Sequence, residues 1–320
     1  MKTLRSIALL LAGTWCGVVA AQTYPSKPIR LVVPFAPGQG GDTAARLVAQ
    51  KLSDNLKQTV VADNRPGVGG NIGAEIVAKA APDGYTLLVG SNGTHAANSA
   101  LYTNLLFNPA TDHVALSYIG SVAMVLLAPP AFPAAGPREV VAMAKAKPGS
   151  VSVAVPSSTA RVVLELMTRT SGAVFNPISY KASATAMTDL MGGHVQLSID
   201  TVIAAAPQVA SGKLKALGVT TAKRAGNLPG APTFAESGLP GFDLAAWNVW
   251  FAPRGTPPEI VTKLNEELRK VLGDAEVQGK LRALGYEPGG TQTAAQVGEF
   301  MRAEEKKWGD LIRAAGIKAE

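Results

Sequence analysis

The residues best suited to bind a small molecule lie in a glycine-rich loop between a predicted strand and a predicted helix. The loop runs from Phe35 to Gly41, follows the apolar segment Ile29–Val33 and precedes a helix that begins near Asp42. Glycine lets the backbone approach a ligand closely, and a helix start presents free N–H groups and the positive end of the helix dipole. This combination favours the binding of an anion. The alternative is a tight turn with Asp42 as the N-cap, and the two interpretations are compatible.

Three further segments are candidates for the walls of a binding site. Asn64–Asn71 is a second glycine loop before a predicted helix, and it fits a cleft wall and a plain turn equally well. Ser157, Ser158 and Thr159 stand directly before another helix, either as ligand-binding hydroxyl and N–H groups or as an N-cap cluster. Lys181 is a candidate charge partner for a carboxylate, although most lysines are solvated surface residues.

The sequence contains none of the common local motifs of enzymes. Neither Gly-Lys pair has the upstream glycine or the following Ser/Thr of a phosphate loop, and no Gly-x-Ser-x-Gly segment is present. His95, His113 and His194 are scattered and lack the paired spacing of metal ligands. We therefore predict no catalytic residue, no metal site and no cofactor.

Strands that alternate with helices predict an α/β fold with mainly parallel sheets. Helices are predicted between these strands, including 158–171, 183–191 and 201–211. Two capping boxes, Thr256–Glu259 and Thr293–Gln296, predict the starts of two amphipathic C-terminal helices that cover the first part of the chain. The predicted strands are 29–33, 59–61, 85–89, 151–155, 173–178, 195–199 and 214–219.

The first residues are typical of a secretory signal. Lys2 and Arg5 precede an apolar segment too short to span a membrane, and small residues suit cleavage after Ala21. The only cysteine, Cys16, lies inside this segment, so the exported chain is predicted to have no thiol. The formal net charge of +7 is compatible with anionic ligands, and no basic cluster interleaved with aromatic residues indicates nucleic-acid binding.

The 320 residues are enough for two lobes, each with its own core. Crossings near 120–128 and 219–227 predict a hinged cleft between them. The predicted division is a signal peptide at 1–21, a first lobe of 22–122 plus 225–320, and a second lobe of 123–224.

Several segments together resemble the Bug-type extracytoplasmic solute receptors, the binding subunits associated with tripartite tricarboxylate transporters. The resemblance is specific because the segments cover nearly the whole exported chain in the right order. They are Tyr24–Gly38, Asn64–Gly67, Pro82–Leu88, Tyr180-Lys181, Asp189–Gly193, Leu228–Thr233 and Pro253–Pro257.

The resemblance implies a type II periplasmic binding-protein fold, with two lobes that close on a small mono- or dicarboxylate. It implies a periplasmic monomer that delivers this ligand to membrane permease subunits, and the alternative is a ligand sensor for a membrane signalling protein. The residues predicted to contact the ligand are Phe35, Pro37, Gly38, Gly40, Asp42, Thr43, Ser91, Asn92, Ser157, Ser158, Thr159, Tyr180, Lys181, Asp200 and Trp247.

The chain departs from the family pattern at two positions on the expected ligand wall. Pro156 stands in a loop that is shorter than is usual in the family, and Ala182 stands where a glycine is usual. Because both changes alter the wall itself, the resemblance does not identify the ligand.

Overall fold

The computed structural model describes residues 24–317, so the predicted signal segment with Cys16 and the cleavage after Ala21 lies outside the described residues. Within that range the chain alternates strands with helices, as predicted. The strands are β1 (Ile29–Val33), β2 (Val60–Asn64), β3 (Thr86–Ser91), β4 (His113–Ala128), β5 (Ser152–Val155), β6 (Asn176–Ser179), β7 (Leu197–Thr201), β8 (Lys215–Val219), β9 (Ala245–Pro253) and β10 (Tyr286–Pro288).

The α-helices follow the predicted pattern closely in the middle of the chain. They are α1 (Gly40–Leu56), α2 (Asn71–Ala78), α3 (Asn98–Leu101), α4 (Pro137–Ala146), α5 (Ser158–Ser171), α6 (Ser183–Met191), α7 (Val202–Ala210), α8 (Pro258–Gly273), α9 (Ala275–Ala283) and α10 (Ala294–Ala315). A short 3₁₀ turn, Val68–Gly70, precedes α2, and a π-helical turn, Gly93–Ala97, precedes α3.

All ten strands join one sheet, whose central path has the order β2-β1-β3-β9-β4-β7-β5-β6, with β8 and β10 paired to β4. The outer strands on each side are parallel: β1 pairs with β2 and β3, and β5 pairs with β6 and β7. The middle strands β4 and β9 run antiparallel to each other and to their other partners. We call the half with β1, β2, β3, β9 and β10 the first lobe, and the half with β5 to β8 the second lobe.

Strand β4 is long enough to belong to both lobes. Its first part, His113–Ala123, pairs with β9, whereas Met124–Leu127 pairs with β7. Thr220, which follows β8, holds this junction together: its Oγ1 donates to the carbonyl of Leu244 (2.6 Å) and accepts from the N–H of Met124 (3.2 Å). Strand β4 is therefore one buried connection between the two lobes.

The segment that follows β8 keeps contacts with the second lobe beyond Val219. Val219 bridges Thr233, and the N–H of Phe234 donates to the carbonyl of Val219, so this segment packs on the second lobe. The chain returns to the first lobe at Leu244, directly before β9. The boundary after residue 224 stays a prediction, and these contacts favour a boundary near Leu244.

The C-terminal helices bury the apolar stripes that the sequence predicts. Leu264 and Leu268 of α8 are fully buried, as are Val297 and Trp308 of α10. The capping box Thr293–Gln296 is confirmed, with both of its hydrogen bonds present.

The predicted capping box at Thr256–Glu259 is wrong. Pro257 is the N-cap residue of α8, and the hydroxyl of Thr256 donates back to the carbonyl of Pro253 (2.8 Å). Two consecutive prolines hold the extended backbone that enters the helix, so no side-chain cap is needed there.

We predict that Thr220→Val destabilises the protein by about 1–3 kcal/mol, because valine leaves the buried N–H of Met124 and the carbonyl of Leu244 without their partner. Urea denaturation measures this as a lower midpoint with an unchanged slope. Thr220→Ser keeps the hydroxyl and should lie between the wild type and the valine variant. A valine variant as stable as the wild type would contradict the role assigned to this junction.

Candidate ligand-binding crevice

The carboxyl ends of the parallel strands of the two lobes face one another across a narrow crevice. Gln39, which follows β1, donates from Nε2 to the hydroxyl of Ser183 at the start of α6 (3.3 Å). Asn92, which follows β3, donates from Nδ2 to Oγ1 of Thr159 in the first turn of α5 (2.8 Å). Ligands of open α/β sheets bind at such strand ends, so this crevice is the candidate site.

Two glycines of the first lobe lie close to the second lobe. A Cβ atom on Gly40 would lie 2.9 Å from Oγ1 of Thr201 and 3.0 Å from Cδ1 of Ile203, both at the start of α7. A Cβ atom on Gly69 would lie 2.5 Å from Oγ of Ser158. The loop after β2, which contains Gly69, is therefore part of the crevice wall rather than a distant turn.

The start of α1 is organised by Asp42, but not as its N-cap. Gln39 is the N-cap residue, and Asp42 lies in the first turn, where its carboxylate accepts from the N–H of Gly38 (2.9 Å). The same carboxylate accepts from Nδ2 of Asn64 (2.8 Å) and Nε of Arg46 (3.0 Å). Burial alone would raise the pKa of Asp42, but these hydrogen bonds outweigh it and hold the pKa below its ordinary value.

Several N–H groups at the crevice remain free for a ligand. The N–H groups of Gly40, Gly41 and Asp42 have no acceptor within residues 24–317, and neither do those of Ser158 and Thr159. The prediction of an N-cap cluster before α5 is confirmed for Ser157, whose hydroxyl accepts from the N–H of Ala160 (3.1 Å). Free N–H groups at helix starts attract anions, because the helix dipole adds to their own positive charge.

The turn after β3 is supported by two buried histidines. The Ala74 carbonyl lies 3.1 Å from Nε2 of His113, so Nδ1 of His113 accepts from Nε2 of His95 (3.3 Å) when both rings are neutral. Nδ1 of His95 then accepts from the hydroxyl of Thr94 (2.8 Å), and Thr94 Oγ1 accepts from the N–H of Ser91 (3.0 Å). This chain of hydrogen bonds fixes the turn that carries Ser91 and Asn92.

Burial keeps both imidazoles neutral. It lowers the pKa of His95 well below the ordinary value, and the neighbouring His113 lowers it further. Burial also lowers the pKa of His113 to about 4, although the hydrogen bond to Ala74 and the charge of Asp112 oppose this. The His95 ring stacks on Phe251, with a centroid distance of 4.0 Å, so protonation would place a charge among aromatic side chains.

Asp200, the penultimate residue of β7, is buried at the same crevice. Its Oδ1 accepts from the N–H of Thr201 (2.7 Å), and its Oδ2 has no partner among the described residues. Burial raises the pKa of Asp200 to about 6, although hydrogen bonds from Ser183 and Thr201 oppose the shift.

The remaining predicted residues contribute in different ways. The ring of Phe35 packs against Gly41, Thr43 Oγ1 donates to the carbonyl of Gln39 (3.2 Å), and Pro37 lies exposed at the loop tip. Lys181 is exposed.

Two predicted aromatic residues have their polar groups bound elsewhere in the chain. The hydroxyl of Tyr180 donates to Asp189 (2.6 Å), which raises the pKa of Tyr180 to about 12. Trp247 is only 2% exposed, and its indole N–H donates to Glu304 (2.8 Å). Trp247 still supports the site through its backbone N–H, which donates to Oδ1 of Asn92 (3.4 Å).

Four residues at the contacts across the crevice were not among the predicted ligand contacts: Gln39, Gly69, Ser183 and Thr201. Gln39 and Gly69 lie in the two predicted glycine loops, whereas sequence reasoning missed Ser183 and Thr201. Each stands at a strand-to-helix connection, and this position is the signal that could have identified them. Pro156 and Ala182, where the chain departs from the family pattern, lie at the starts of α5 and α6, and Ala182 is the N-cap residue of α6.

Other parts of the described chain offer less. Residues 24–317 contain no group of three or more His, Cys, Asp or Glu side chains placed to hold a metal ion. A surface groove of about 560 Å³ lies between α5, α10 and residues 241–244, and it contains none of the strand ends. No helix between residues 24 and 317 is both long and apolar enough to cross a membrane.

Comparison with known proteins identifies the family. The model of the tripartite tricarboxylate transporter family receptor matches residues 44–317. The chain belongs to this receptor family. Protein BugT of Bordetella pertussis is 37% identical over 303 residues, which cover 94% of this chain and 93% of BugT. The resemblance to Bug-type receptors is thereby confirmed.

Solved structures of related proteins have the same fold. R. palustris Rpa4515 with adipate has a TM-score of 0.89 and 37% identity, over 92% of this receptor and 100% of that chain. MatC (Rpa3494) from Rhodopseudomonas palustris with bound malate has a TM-score of 0.84 and 32% identity, over 90% of this receptor and 100% of that chain. The structure of the periplasmic binding protein BugD has a TM-score of 0.86 and 33% identity, over 92% of this receptor and 100% of the BugD chain.

These comparisons confirm the predicted two-lobed α/β fold of periplasmic binding proteins. Receptors of this family are periplasmic solute-binding proteins. This receptor is accordingly a binding protein and not an enzyme.

We predict that acid destabilises the receptor through His95 and His113. Below about pH 6.5 the imidazoles of the unfolded chain bind protons, whereas burial keeps them neutral in the folded chain. The contribution of the two histidines to the free energy of unfolding is therefore complete above pH 6.5 and is lost as the pH falls toward 4. His113 contributes about 3 kcal/mol to the free energy of unfolding, because its pKa falls from 6.5 to about 4 on folding. The melting temperature should therefore fall between pH 6.5 and 4.5.

His113→Gln tests this assignment, because the glutamine amide can donate to the carbonyl of Ala74 without exchanging a proton. The fall in melting temperature over the same pH range should be smaller in this variant. Parallel curves for variant and wild type would exclude His113 as a source of the acid sensitivity.

Proposed function

We propose that this receptor captures a small mono- or dicarboxylate in the periplasm and delivers it to permease subunits in the membrane. Free backbone N–H groups stand at the starts of α1 and α5, next to the contacts between the two lobes, and this observation carries the proposal. The proposal includes export with cleavage after Ala21, and action as a monomer.

The contacts across the crevice favour a carboxylate over a cation. They are made by hydroxyl and amide side chains, namely Gln39 with Ser183 and Asn92 with Thr159. Such groups and free N–H groups stabilise a negative charge by hydrogen bonding, and the effect is stronger where water is excluded. The adipate and malate in the related structures support the same chemical class.

We predict that adipate, malate or another small carboxylate raises the melting temperature of the purified mature protein, whereas amides of the same carbon skeletons do not. A ligand at one hundred times its Kd stabilises by about 2.7 kcal/mol, which thermal-shift measurement detects easily. Equal shifts from acids and amides, or shifts with cations alone, would contradict the proposal.

We predict that Gly40→Ala weakens carboxylate binding by tenfold or more. The added Cβ atom would lie 2.9 Å from Oγ1 of Thr201, so the start of α1 could not approach α7 as closely. Alanine suits the helical backbone of α1 at least as well as glycine does, so the variant should fold.

Isothermal titration calorimetry measures the loss, with Gly279→Ala as the matched control. Gly279 also lies in a helix, α9, but a Cβ atom there would meet no atom within 4 Å, so its affinity should equal that of the wild type. A Gly40→Ala variant that binds as tightly as the wild type would show that binding does not need this close approach.

A further inference from the structure

Asp200 is a buried carboxyl group beside the groups that meet across the crevice. It is 3% exposed, and it pairs with Val125 of β4 in the middle of the sheet. Ser183, which lies near it at the start of α6, also contacts Gln39 of the first lobe, and the adjacent Thr201 lies against Gly40. Asp200 is therefore next to two residues, Ser183 and Thr201, that the start of the first-lobe helix α1 approaches.

Oδ2 of Asp200 has no hydrogen-bond partner among the described residues, and this distinguishes Asp200 from the other carboxylate at the crevice. Asp42, the carboxylate at the start of α1, is saturated by Gly38, Asn64 and Arg46. Asp200 has no such set of donors, and a buried polar atom without a partner is costly unless a ligand, water or proton satisfies it.

No cation faces Asp200 from the elements packed against it. Strand β5, the paired segment of β4 and helix α7 carry no ionisable side chain. On α6 and the two residues before it, Asp189 is hydrogen-bonded to Tyr180 and Lys181 is exposed. In the first turns of α1, Asp42 and Arg46 are paired with each other. Burial raises the pKa of Asp200, and no charged neighbour contributes to the shift.

An anionic ligand would add a second negative charge beside this group. Two carboxylates that share a water-poor site do not both stay ionised, and one of them takes up a proton. The ligand is held by free N–H groups that favour its charged form, so Asp200 is the group that is protonated. A protonated carboxyl group has one O–H donor, which Oδ2 is free to carry.

We propose that Asp200 is a specificity-determining residue that takes up one proton from solvent when the crevice closes on a carboxylate and then donates a hydrogen bond to it. This inference rests on the carboxylate-binding function proposed above. It predicts a receptor that binds its anion more tightly as the pH falls.

Titration calorimetry with adipate and with malate tests the inference directly. At pH 7, titrations in buffers of different ionisation enthalpy should count about one proton taken up per ligand bound. The Kd should rise by up to tenfold per pH unit between pH 6.5 and 8, where both ligands stay ionised. This measurement needs only the wild-type protein.

Asp200→Asn should remove the effect. The asparagine amide resembles the protonated acid, because it keeps a donor and carries no charge. The variant should take up no proton, and its Kd at pH 8 should be close to that of the wild type at pH 6.5. His194→Asn is the matched control: His194 is exposed on the second lobe, so this variant should keep the full proton uptake.

Each outcome has one meaning. Wild-type protein that binds a carboxylate without taking up a proton overturns this inference and leaves the proposed function standing. Binding that tightens as the pH rises, together with loss of binding in Asp200→Asn, also overturns it and assigns an ionised Asp200 to a donor group of the ligand. Absence of carboxylate binding at every pH overturns both proposals.

Discussion

The structure depends on the close approach of two sets of helix starts, which leaves backbone N–H groups without acceptors in a narrow crevice. Gly40 permits this approach because any side chain at this position would meet Thr201 and Ile203. Unpaired N–H groups are costly when buried, so the arrangement is stable when a ligand or water supplies the missing acceptor. A small anion can satisfy several of them at once.

The sheet determines how the two lobes can approach each other. Strand β4 is continuous through both, and Thr220 binds the second crossing to it at Met124. A receptor that closes on its ligand needs few connections between rigid lobes. Strand β4 and the crossing bound to it by Thr220 are such connections. The buried His95–His113 pair serves the same purpose locally, because it holds the turn that carries Asn92 to Thr159.

Local sequence patterns predicted the parallel outer strands, helices α5 to α7 and the cap at Thr293, because each depends on residues close together in the chain. The antiparallel strands β4 and β9 were not predicted, since their pairing joins segments more than a hundred residues apart. Asp42 was assigned as the N-cap for a similar reason. Its type suits a cap, but Asn64 and Arg46 draw it into the first turn.

Residue order and backbone preference are local properties, and they were enough to predict the family, the alternation of strands and helices, and the glycine loops that precede α1 and α2. The folded structure was needed to establish that α1 opposes the starts of α6 and α7, through Gln39 with Ser183 and Gly40 with Thr201. It alone also gave Asp200 an unpartnered oxygen and a raised pKa, since burial is a property of the packed chain and not of the residue type.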